Sequence, residues 1–164
     1  DILKGTSIYK KFEMVFASSY MYDVNDVAEW PALAIDYTNK TQFLFRINKG
    51  INNSWDNEKI NKFMLEEDRP IPFERMIYLG DGETDIPAMK MIRHQGGKAI
   101  AVYNPETRTT AGKKSKKITQ KLIEQKRANY VAAADYTEGS SLYKIIQLCI
   151  DEIAAKSELL KYQK

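Results

Sequence analysis

At 164 residues and 43% hydrophobic, the chain is long enough to form one domain with a buried core. Its formal charge of +3 falls short of the electrostatic footprint expected of a nucleic-acid binder. One cysteine, Cys149, excludes an internal disulfide framework and a multi-cysteine zinc site. No apolar run is long enough to span a bilayer and no signal-peptide pattern is present, so the expected setting is cytoplasmic, with neither membrane nor nucleic acid as partner.

The chain opens with Asp1-Ile2-Leu3-Lys4, inside a helix predicted over Ile2 to Lys11. The expectation is that the chain was cut, or that the first part of the protein lies outside it. Glu13 to Ala17 reads as a short buried strand. Ser18 to Pro31 is turn-rich with its tip at Tyr22-Asp23-Val24-Asn25-Asp26, and Ala32 to Tyr37 reads as the return strand of a hairpin excursion over about 18–37. Thr38 or Asn39 then caps a helix from Lys40 to Asn48, with Phe43, Leu44 and Ile47 at helical spacing and a stop near Gly50. The polar stretch Ile51 to Pro72 holds at most one helix, from Asn57 to Leu65.

Met76 to Leu79 is an apolar strand. It runs into the acidic loop Gly80-Asp81-Gly82-Glu83-Thr84-Asp85-Ile86-Pro87. Gly80 and Gly82 allow a sharp turn. Asp81 and Asp85, four residues apart, aim two carboxylates at one small volume, and hard oxygen ligands suit Mg²⁺. A helix from Ile86 to His94 follows, with Met89 and Ile92 facing inward, and Gly96-Gly97 ends it. Lys98 to Tyr103 is a second strand, broken by Asn104-Pro105. A charged helix to about Ala128, a strand over Tyr130 to Ala134 and a long helix from Ser140 to about Lys156 complete the chain. Alternating strands and helices argue for an α/β fold with a parallel sheet covered on both faces.

Gly80-Asp81-Gly82-Glu83-Thr84-Asp85-Ile86-Pro87 with Met89, followed by Gly96-Gly97 and an apolar strand, resembles the fourth motif of the haloacid dehalogenase superfamily. The likeness is to the branch containing phosphoserine-phosphatase-like hydrolases. Phe12 to Gly50 is similar to the segment preceding that motif, so nearly all of residues 1–164 is covered. The resemblance implies a Rossmann-like parallel sheet and a Mg²⁺-dependent phosphomonoesterase acting on a small phosphorylated substrate through an aspartyl-phosphate. Within it, Asp81 matches the metal-ligating carboxylate and Asp85 the second acid. Lys40 is the choice for the family's lysine, and Lys49 is the competing candidate, near the far end of the predicted helix.

Two of the family's motifs are not found. No apolar strand ends in Asp-x-Asp, and the strand-end Ser or Thr belongs just before Asp1. The chain therefore resembles the C-terminal part of such an enzyme, without its nucleophile strand or cap domain, and inactive alone. In the family's sheet the missing strands lie between those at Glu13–Ala17 and Met76–Leu79, leaving unpaired backbone at both. The expectation is that an N-terminal segment or another copy completes the sheet, or that the exposed edges pair with each other. The alternative to an enzyme is a non-catalytic metal- or partner-binding domain.

Other features have plain readings. Cys149 is a buried small apolar group, and His94 is structural. Lys113 to Arg127 is a solvated helix face. The aromatic set Tyr20, Tyr22, Trp30, Tyr37, Phe43 and Phe45 is packing of the hairpin against the sheet.

Overall fold

Short apolar runs punctuated by glycine or proline give strands, and the longer amphipathic runs between them give the helices that cover those strands. The structure, a computed structural model, describes residues 2–162. Its elements are β1 (Ser19–Tyr22), β2 (Ala28–Leu33), α1 (Lys40–Asn48), α2 (Asn57–Asn61), β3 (Ile77–Gly80), α3 (Ile86–His94), β4 (Lys98–Tyr103), α4 (Thr110–Glu124), β5 (Tyr130–Ala133) and α5 (Ser141–Leu160). The result is a mixed α/β fold with a three-stranded parallel sheet in the order β3-β4-β5, and a separate antiparallel hairpin β1-β2.

In the parallel sheet Gly80 lies beside Ala101, and Ala101 beside Val131. The two β-α-β connections run in the same direction across the sheet, so α3 and α4 share a face. There Ala99 and Ala101 meet Met89, Ile92 and Leu122, with Leu44 and Ile47 of α1 packed against the same cluster. The alternate residues Ile100 and Val102 point to the other face, where Leu142, Ile145 and Ile146 of α5 cover them. Lys98 ties β4 to α5 by an ion pair with Glu152 at 2.7 Å. Thr109 and Ser140 cap α4 and α5, each hydroxyl accepting a backbone N–H of the first turn.

The N-terminal segment departs from expectation. In place of a helix over Ile2 to Lys11 there are two single 3₁₀ turns, Leu3–Gly5 and Tyr9–Lys11, with no buried residue. Glu13 to Ala17 forms no strand. It is irregular and largely exposed, with Phe16 tilted against Phe43 at 5.3 Å. A strand needs a neighbour for its backbone groups, and among the described residues neither this segment nor any other pairs with the outer edge of β3. The hairpin forms, with its return strand at Ala28–Leu33 rather than Ala32–Tyr37, but it does not pack on the sheet. Tyr20, Tyr22, Trp30 and Tyr37 are all exposed, and only Phe43 of the aromatic set is buried.

The accessible surface is 11987 Å², whereas a compact monomer of this mass shows roughly 8,300 Å². Much of the excess is apolar, on the hairpin, the N-terminal segment and the outer side of α5. Among the described residues no helix is long and apolar enough to cross a membrane.

Candidate functional site

β3 carries Tyr78 on the face shared by α1 and α3, between Ile77 and Leu79, which face α5. The strand ends at Gly80, Asp81 follows, and a 3₁₀ turn over Glu83–Asp85 delivers the chain into α3, with Pro87 in its first turn. Asp85 immediately precedes α3 but caps none of its N–H groups. Its side chain turns back toward the strand end.

There Asp85 gathers three donors. Lys40 Nζ and Tyr78 OH each donate to Oδ1 at 2.7 Å, and the backbone N–H of Asp81 donates to Oδ2 at 3.2 Å. Lys40 is the first residue of α1, so this ion pair pins the N-terminal half of the chain to the sheet across 45 positions. Burial works to raise the Asp85 pKa, but the hydrogen bonds from Lys40 and Tyr78, and the Lys40 charge, outweigh it and hold the carboxyl below its ordinary range. The Tyr78 phenol is pushed up, first by burial and then by its bond to the Asp85 carboxylate.

Gly80 makes this geometry possible. A Cβ there would sit 2.7 Å from both Cβ and Cγ of Asp85 and 2.6 Å from Cε of Met89. Its role is close packing and not a turn, since the left-handed glycines of the chain are Gly50, Gly96 and Gly139. Gly82 has open space where a Cβ would go and an extended φ of −154°, so neither sterics nor backbone conformation demands glycine there.

Asp81 is exposed and lines an open cleft of about 410 Å³. Lys40, Tyr78, Gly80 and Asp85 line it on one side, and Val102, Ala134 and Tyr136 continue it across the C-terminal ends of β4 and β5. Clefts at the carboxyl ends of parallel strands are where open α/β sheets place ligands. Lys40, Asp81 and Asp85 are thus brought together, while Lys49 donates to the carbonyls of Ile60 and Lys62, away from the strand ends. Sequence reasoning passed over Tyr78, whose hydroxyl was the available signal in an otherwise apolar strand, and Tyr136, which carried none.

The donor set bears on which metal this site suits. Among the described residues no group of three or more His, Cys, Asp or Glu side chains converges. Asp85 already accepts three hydrogen bonds, so of the two carboxylates the exposed Asp81 has the more accessible oxygens. Mg²⁺ commonly takes one or two protein carboxylates and completes its shell with water and substrate phosphate, so the pair fits that cation as a partial site.

No family model matches the chain, and no solved structure does. In an alignment of 121 positions that covers 71% of the chain, it is 31% identical to a protein of Borreliella burgdorferi described as uncharacterized, and it spans 38% of that protein.

Proposed function

We propose that this chain supplies the metal-and-lysine part of a Mg²⁺-dependent phosphomonoesterase of the haloacid dehalogenase type, working in a reducing, cytoplasmic setting. The observation that carries the reading is the convergence of Lys40, Tyr78 and the Asp81 N–H on Asp85, with Asp81 itself exposed at the strand ends. Lys40 keeps a cation at the cleft, and Asp85 fixes its position and the path of the loop. Asp81 would hold Mg²⁺, with Asp85 behind it. The bound ion would supply positive charge to offset that on the phosphoryl oxygens.

The nucleophile comes from polypeptide outside this chain. An aspartate carboxylate there attacks phosphorus, the ester oxygen leaves, and water hydrolyses the resulting aspartyl-phosphate. The open edge of β3 and the excess apolar surface support this division, because both call for further protein to cover them.

A second reading, a non-catalytic metal- or partner-binding domain, is favoured by the cleft itself, whose carboxylates are the ion-paired Asp85 and the ligand-like Asp81. The natural full-length protein, assayed with p-nitrophenyl phosphate with and without Mg²⁺, separates the two. Mg²⁺-dependent turnover that falls at least ~100-fold in Asp81→Asn supports the enzyme. Mg²⁺ binding lost in Asp81→Asn, with no turnover of this or a wider panel of phosphomonoesters, supports the binding domain. If Mg²⁺ neither binds nor activates, the metal reading is refuted.

A further inference from the structure

Tyr136 stands apart from the other residues of the cleft. Lys40, Asp81 and Asp85 are charged, Gly80 and Ala134 are small, and the Tyr78 hydroxyl is taken by Asp85. Tyr136, by contrast, is a large aromatic residue, 66% exposed, at the same opening.

Its loop is well tied down. Ala134 N–H extends the sheet ladder to the Tyr103 carbonyl at 2.8 Å. The Asp135 carboxylate accepts from the N–H and hydroxyl of Thr137 at 3.0 and 2.6 Å. Ser140, the cap of α5, donates its hydroxyl to the Asp135 carbonyl at 2.7 Å. These bonds hold the backbone on both sides of Tyr136, so the ring rises from a fixed base.

Strand spacing sets the scale of the cleft. β5 is two strands from β3, so the Tyr136 loop lies roughly 10 Å from the end of β3. That span exceeds a phosphoryl group with a ring bonded directly to it. It suits a phosphate joined through a spacer of several atoms to a planar ring.

We propose that Tyr136 is a specificity-determining residue, stacking on the planar ring of a phosphomonoester whose phosphate sits by Lys40 and Asp81, with a nucleoside monophosphate as the class that fits. This rests on reading the cleft as a phosphate site. Base–aromatic stacking commands roughly a tenfold gain in affinity or more, and the Tyr136 ring is the cleft's exposed means of supplying it.

The test is calorimetric titration of the natural full-length protein, with Mg²⁺ present, using adenosine 5′-monophosphate and ribose 5-phosphate, which differ in the base. The expected result is about tenfold tighter binding of the nucleotide, lost in Tyr136→Ala and kept in Tyr136→Phe. Tyr136→Leu, which keeps apolar bulk without the planar ring, repeats the test should the alanine variant fold poorly, and is expected to lose the preference too. Equal binding of the two probes by the wild type, or a preference that survives both substitutions, overturns the role of Tyr136 and leaves the phosphate site standing. If neither probe binds, both the role and the phosphate site are overturned.

Discussion

Replacing Gly80 by alanine probes how the site is assembled. The added methyl meets Met89 Cε at 2.6 Å and Asp85 Cβ and Cγ at 2.7 Å. Met89 Cε is the end of a flexible side chain and can swing aside, although it is packed in a core cluster. Asp85 has less freedom, because moving its Cβ disturbs the bonds to Lys40, Tyr78 and the Asp81 N–H together. Overpacking of this kind costs about 1–3 kcal/mol. Weakening one charged hydrogen bond adds roughly 1 kcal/mol after allowing for water at the partly exposed Lys40. The expected loss is therefore about 2–4 kcal/mol, a fall in Tm on the order of 5–15 °C. Urea denaturation followed by far-ultraviolet circular dichroism measures it, with Gly82→Ala as the matched control, expected within about 0.5 kcal/mol of wild type because its Cβ meets nothing. Equal loss in the two variants, or the reverse order, would refute the close-packing role of Gly80.

Removing the cation by Lys40→Met leaves the buried Asp85 carboxylate with two donors in place of three. A loss of about 1–3 kcal/mol is expected by the same denaturation assay, less than for a fully buried pair because Lys40 is 29% exposed. Asp81→Asn should weaken Mg²⁺ binding at least ~10-fold by calorimetry while moving the urea midpoint little, since Asp81 is exposed. Hydrogen bonds from Lys156 and Lys98 pull the Glu152 carboxyl down to about 2. A depressed carboxyl stabilises fully above its unfolded pKa, near 4.3, and that contribution disappears as pH falls toward 2. A plot of Tm against pH should therefore fall less steeply through this window in Glu152→Gln than in wild type; identical slopes would show that the pair does not matter.

The sequence was most legible where punctuation was strong. α1, α3 and β4 have the ends expected of them, because Gly50, Gly96-Gly97 and Asn104-Pro105 stop each one. α5 runs four residues further than expected, to Leu160, since nothing after Lys156 breaks a helix. The N-terminal segment departs from its expected elements for a different reason. Glu-Met-Val-Phe-Ala has the composition of a strand, but strand formation is a contract between two segments, and composition says nothing of whether the partner is in reach. Exposure of the hairpin aromatics was hidden in the same way, since Tyr and Trp suit a buried face as well as an exposed one. In the site, resemblance rather than periodicity singled out Lys40, because nothing local links a helix-start lysine to an aspartate 45 residues on. Tyr78 was absorbed into its strand by the same alternation that identified the strand.

The Lys40–Asp85 pair connects the two halves of the chain. The sheet and its helices fold around local connections, β3 to α3 to β4 to α4 to β5, and their core is closed on both faces. The N-terminal half has few such connections. It meets the sheet through α1, where Leu44 and Ile47 pack on the shared cluster and Lys40 reaches Asp85. A charged pair is a weak glue but a strict guide to position, because its energy collapses when the geometry is lost. The same contact that seats α1 therefore also fixes the Lys40 ammonium at the cleft that Asp81 lines. What the N-terminal half lacks is apolar cover rather than alignment, and the free edge of β3 with the bare hairpin is where that cover has room to come from.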